Sequence, residues 1–178
     1  MPISQPQLVQ FLSETDYFES ISTEDTAALA GLFRVIELEA GSKIFSEGDP
    51  GDAWYLIVSG EVLISKTIPG HPSHRLASLE AFEGFGEMSL LDSAVRMASA
   101  DAVRPTTLAY LPRETFLGLV SDCQPAAFRL MQQMSSILCQ RLRETTWVLQ
   151  NIIRSPEQGA RKNANAVEMV IRVVSTQQ

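Results

Sequence analysis

Phe85-Gly86-Glu87-Met88-Ser89-Leu90-Leu91-Asp92-Ser93-Ala94-Val95-Arg96-Met97-Ala98-Ser99 is the stretch on which the reading of this chain turns. It sets a glycine and a carboxylate at the mouth of a short apolar helical turn, with an arginine just past the end of that turn. Backbone N–H groups at a helix start have no partner within the helix, and the helix dipole adds positive potential there, so an anion is attracted. An arginine folding back on the same point offers a planar fork that fits two phosphate oxygens. Glu87 repels a phosphate and must serve another group, for which a sugar hydroxyl is the natural candidate. Phosphate and ribose hydroxyl held by one short segment describe a nucleotide cradle.

On either side the texture is one of short strands. Val35–Leu38, Lys43–Phe45, Trp54–Val58, Glu61–Ser65, Arg75–Leu79, Met97–Ala102 and Thr106–Leu111 are apolar or alternating runs, and Gly41, Gly48, Gly51 and Gly60 fall between the earlier ones as turns or bulges. Many short strands with regular turn signals imply a sandwich or barrel. Glu87–Leu91 is expected to interrupt them as a single helical turn. Before them, Gln7–Leu12 and Thr23–Phe33 carry helical spacing, the second opened by Ser22 as N-cap. After them, Pro112-Arg113 opens one helix and Pro125 a long one reaching about Ile153. The expected organisation is a helical segment over 1–33, the β region over 34–112, helices over 113–154 and a tail over 155–178.

The segment 85–99 resembles the phosphate-binding cassette of the cyclic nucleotide-binding domain, shared by bacterial catabolite activator proteins and the regulatory subunits of protein kinase A. The match extends upstream, where Gly41 to Val62 is similar to the strand–turn–strand core of that family, and it covers roughly residues 5 to 153. Two ordered motifs at a family-like separation are far more specific than one glycine-rich loop. The resemblance implies a β-roll (a jelly-roll, or double-stranded β-helix) with flanking N-terminal helices and a long C-terminal helix. It implies that Arg96 takes the phosphate and Glu87 the ribose 2′-hydroxyl, while Gly86, Met88 and Ser89 act through backbone N–H groups. Ser89 would add its hydroxyl, and Ala98 would lend an amide beside Arg96. Two positions depart from the family: Val95 stands where many relatives have proline, and Met97 stands where cGMP-selective kinases carry a threonine. A thioether cannot donate a hydrogen bond, so Met97 points to cAMP rather than cGMP. Alignment of Leu142-Arg143-Glu144-Thr145-Thr146 with the catabolite activator protein places Thr145 and Thr146 where adenine-contacting hydroxyls occur, on both subunits of a dimer. Threonines that bond their own helix backbone are the alternative at these two positions.

The long helix would run roughly 43 Å, more than a small barrel needs. Its apolar stripe passes through Met131, Met134, Leu138, Leu142, Thr145, Leu149 and Ile152. The first half is expected to lie on its own barrel and the second to pair with another copy, as the family comparison implies. Trp147 would cap a base or simply pack.

Composition narrows the function further. A net charge of -7 argues against a nucleic-acid surface. Cys123 and Cys139 make neither a disulfide framework nor a metal cluster. No run is long and apolar enough for a membrane span, and Met1–Pro6 lacks a secretory pattern. A cytoplasmic protein with reduced thiols is the expectation. His71 and His74 flank Pro72 in what reads as a solvated hairpin loop rather than a metal site. No nucleophile–base pair or carboxylate dyad accompanies the cassette, so chemistry on the nucleotide is not expected. The tail is too short for a helix-turn-helix domain, which leaves a stand-alone module with an unknown protein effector. Two alternatives stay open: a sensor of the same fold for a ligand other than a nucleotide, and a protein-interaction module working through the long helix.

Overall fold

The computed structural model describes residues 3–67, 73–92 and 95–154, the side chains of 148, 149 and 151–154 excepted. His71, the tail over 155–178 and the side chains of Leu149 and Ile152 therefore lie outside the described residues. The elements run α1 (Gln5–Ser13), a 3-10 turn (Asp16–Phe18), α2 (Thr23–Ala30), β1 (Arg34–Leu38), β2 (Lys43–Phe45), β3 (Ala53–Ser59), β4 (Val62–Lys66) and β5 (His74–Leu79). They continue with β6 (Gly84–Phe85), α3 (Met88–Asp92), β7 (Ser99–Ala102), β8 (Thr106–Pro112), α4 (Arg113–Ser121) and α5 (Pro125–Arg154). The strands form two four-stranded antiparallel sheets, β1-β8-β3-β6 and β2-β7-β4-β5. This is the jelly-roll expected, with helices before and after it.

Strand β3 shows how the sequence builds the roll. Successive side chains of a strand point to opposite faces, yet all of Ala53–Ile57 is buried. Both faces are covered. Tyr55 and Ile57 point into the roll with Val62, Leu79, Phe85 and Leu108. Trp54 and Leu56 point outward and are sealed by the helices, in a cluster with Leu12, Phe18, Phe33, Phe116, Leu130 and Met134. Each such fully buried large side chain stabilises by about 1.5–3 kcal/mol relative to exposure, and this second cluster docks the helices on the sheet. Trp54 sits at its centre, 4.8 Å from the ring centroid of Tyr17 and 5.7 Å from that of Phe33.

Helix α2 starts as read, with the Ser22 hydroxyl accepting from the Asp25 N–H at 3.1 Å, but ends at Ala30 rather than Phe33. Gly31 ends it, and Phe33 is turned instead into the aromatic cluster. Strand β7 begins at Ser99 rather than Met97, because the preceding residues pair elsewhere. Helix α5 has 30 residues. Leu130 and Met134 are fully buried on the roll, whereas Leu142 is 67% exposed and Trp147 60%. Its first half covers this chain's own core, while beyond it Arg141 and Thr145 stay partly buried and Leu142 and Trp147 face outward.

Candidate functional site

Strand β6 carries the chain to Gly86, where the backbone turns through φ +78, a left-handed conformation that favours glycine. A Cβ at Gly86 would also stand 2.5 Å from Arg96 Nη1. Conformation and space therefore both demand glycine there. Glu87 follows, and α3 starts one residue later than expected, at Met88.

Arg96 sits on a stretch of irregular backbone pinned from both sides. Its N–H donates to Asp49 O at 2.8 Å and its carbonyl accepts from Gly48 N at 2.9 Å. Val95 forms an isolated bridge with Pro50. The guanidinium is buried. Nη1 donates to Gly86 O at 3.1 Å and to the Ser89 hydroxyl at 2.9 Å. Nη2 donates to Ala53 O at 2.7 Å and to Asp52 Oδ1 at 2.9 Å. Phe45 lies beneath it, with the guanidinium carbon 4.2 Å from the ring centroid. As a surface cation Arg96 would have paired with Asp92 or Asp101. It pairs with Asp52, and Asp101 pairs with Lys43. The Arg96 side chain is 1% exposed and that of Asp52 75%, so among the described residues the direct ion-pair partner of this buried cation is a carboxylate standing in water. Among the described residues, Arg96 Nε is buried without a hydrogen-bond partner.

A cavity of about 370 Å³ opens beside this constellation. Gly86, Glu87, Met88, Ser89, Arg96, Met97, Ala98 and Thr145 all line it. The remaining lining includes the apolar Phe45, Ile64, Leu76 and Leu79. Thr146 is not among the lining residues. It is exposed, and its hydroxyl donates to Leu142 O at 2.8 Å. The Thr145 hydroxyl donates likewise to Arg141 O at 2.8 Å, so both threonines make the helix-backbone bond that the sequence left open.

The apolar wall residues Phe45, Ile64, Leu76 and Leu79 were not anticipated, nor was one charged residue outside the cassette. Arg141 of α5 reaches across to donate to Glu87 Oε1 at 3.2 Å and to the Tyr17 hydroxyl at 3.3 Å. Its helical position was the available signal, since it stands one turn before Thr145 and one heptad after the buried Met134. Burial raises the Glu87 carboxyl above its ordinary value, with Arg141 pulling the other way. Nearby Glu83 is pushed up to about 7 by burial. One of its carboxylate oxygens accepts from Glu80 N at 2.6 Å and the other, among the described residues, is buried without a hydrogen-bond partner. Among the described residues there is no cluster of His, Cys, Asp and Glu suited to a metal, and no helix is long and apolar enough to cross a membrane.

A two-sheet β-roll whose irregular cassette and long helix together wall a cavity defines a ligand-receiving module. The family model described as the cyclic nucleotide-binding domain matches residues 35–123, and the chain belongs to that family, one of regulatory modules. The matched span contains Arg96 and Glu87 but stops before α5. The chain is similar to the cyclic AMP receptor protein of Thermus thermophilus, 39% identical over 71% of this chain and 57% of that protein. It is also similar to glutaminase 1 of Bradyrhizobium diazoefficiens, 32% identical over 74% of this chain but only 21% of the enzyme. Among solved structures, a cyclic nucleotide-binding domain from Methylobacillus flagellatus superposes with a TM-score of 0.69 at 28% identity, covering 79% of each chain. The chain thus spans little more than half the length of its curated receptor relative.

Proposed function

We propose that this chain is a cytoplasmic cAMP-binding regulatory module, dimeric through α5, that passes occupancy of its cavity to a protein effector and performs no chemistry itself. The observation that carries the reading is the Arg96 guanidinium: buried in the cavity wall, ion-paired to an exposed carboxylate and, among the described residues, keeping one N–H without an acceptor. A buried cation so placed favours an anion that enters the cavity. A cyclic phosphodiester there would meet Arg96, Ser89 and the amides around Gly86 and Ala98, leaving Glu87 to accept from a ribose 2′-hydroxyl.

The preference for adenine rests on two side chains. Met97 offers the cavity no donor. The Thr145 hydroxyl, already donating to Arg141 O, presents a lone pair that suits the exocyclic amine of adenine and opposes the carbonyl at the same ring position of guanine. Transmission to α5 is supported by the Glu87–Arg141 pair, because a ligand hydroxyl donating to Glu87 competes with Arg141 for the carboxylate that holds the helix. Dimerisation is supported by the exposure of Leu142 and Trp147 on the second half of the helix. Cys123 and Cys139, both exposed and free, suit a reducing compartment. A stretch making up only 21% of a glutaminase fits a module that serves different outputs.

A thermal-shift panel with cAMP, cGMP and 2′-deoxy-cAMP tests the reading. Ligand at about 100 times its Kd adds roughly 2.7 kcal/mol of stability. Stabilisation by cAMP above the other two, lost in Arg96→Ala, is the expected result. Silence toward every nucleotide overturns it and favours the interaction module.

A further inference from the structure

The arm that carries Arg96 has no ladder of its own, and one ion pair is aimed at it from outside the cavity. Lys66, at the end of β4, donates from Nζ to the main-chain carbonyl of Met97 at 2.6 Å. The same ammonium stands 3.0 Å from Glu47 Oε1. Glu47 Oε2 accepts from Thr67 N at 3.1 Å, and the Glu47 N–H donates to the Ser99 hydroxyl at 3.0 Å. Glu47 therefore ties the turn after β2, the end of β4 and the first residue of β7 together, with Arg96 and Met97 between the tied points. Its carboxyl is held below the ordinary range by the Lys66 hydrogen bond and the Thr67 amide. An exposed ion pair adds little to global stability. Its aim, at a carbonyl one residue from Arg96, is what distinguishes this one.

We propose that Lys66 and Glu47 are positioning residues that hold the 95–98 arm so that the Arg96 guanidinium is in place before the phosphate arrives. The inference rests on the reading of Arg96 as the phosphate ligand. Neither side chain lines the cavity, so both act through Arg96 and its neighbours.

The test is isothermal titration of the full chain with cAMP and with its two phosphorothioate diastereomers, which differ only in which exocyclic oxygen is sulfur. An arginine held in one place favours one diastereomer. K66M and E47Q are expected to weaken cAMP by about 2- to 5-fold and to narrow the diastereomer preference, while K66R retains both properties. Unchanged cAMP affinity in K66M and E47Q overturns the brace, as does a loss shared equally by both diastereomers. Wild-type protein that binds no cAMP overturns the phosphate reading and the brace with it, whereas failure of the brace alone leaves wild-type binding intact.

Discussion

The cassette and α5 each bring one arginine to the same cavity, and the chain secures them to very different degrees. Arg96 is 1% exposed and makes four side-chain hydrogen bonds of 2.7 to 3.1 Å, with its backbone pinned on both sides. Arg141 is 22% exposed and holds two acceptors at 3.2 and 3.3 Å. Its neighbour Leu142 is exposed, and Thr145, one turn on, is only partly buried. Segments with few buried apolar contacts open at low free-energy cost. On the proposed reading, the cassette wall would recognise the ligand and the less tightly held α5 wall would respond to it.

The largest effect that would sharpen this contrast is at Arg96. Arg96→Ala should reduce cAMP affinity on the order of 150- to 5,000-fold, the equivalent of about 3–5 kcal/mol for one partner of a buried charge pair, read by calorimetry. Gly86→Ala comes next. With φ +78 and Arg96 Nη1 at 2.5 Å from the new Cβ, it should lower both affinity and unfolding stability by about 1–3 kcal/mol, read by titration and urea denaturation. Arg141→Met should weaken cAMP only about 3- to 10-fold while abolishing any ligand-dependent change in amide exchange along α5. Equal losses at Arg96 and Arg141 would erase the distinction between the two walls.

The smallest effect belongs to Glu83, whose carboxyl rises from 4.5 to about 7. Between those values the folded chain keeps a proton that the unfolded chain has lost, so stability falls as pH rises through that window and levels off above it. Glu83→Gln should remove the slope and add about 1 kcal/mol near pH 8, a figure discounted for solvent screening. Urea midpoints that fall as steeply with pH in Glu83→Gln as in wild type would contradict this.

What the sequence could convey follows the range of the interactions. Glycine-punctuated apolar runs are local, and each expected strand was found within about two residues. Strand β6 was missed because a pair, Gly84-Phe85, is too short for any period to show. The turn before it was also hidden, since Phe82 adopts φ 72 where glycine would have flagged the bend, its ring 5.3 Å from that of Phe11. The cassette residues were legible as a motif, but the Asp52 partner of Arg96 lies 44 residues away, where no spacing rule reaches. Arg141 stayed hidden for a related reason: a charged residue beside an apolar stripe reads as its solvated edge until Glu87 and Tyr17 are placed against it.

The chain's two tryptophans, Trp54 and Trp147, sit at opposite extremes of accessibility, 0% and 60%, and so form a ready-made pair of optical reporters. Trp54, wedged among aromatic rings, should emit at short wavelength and resist collisional quenchers, while Trp147 emits red-shifted and is quenched readily. A Trp54→Phe chain would then report from the second half of α5 alone, and shielding of that indole from acrylamide as protein concentration rises would time the meeting of two copies without any attached dye.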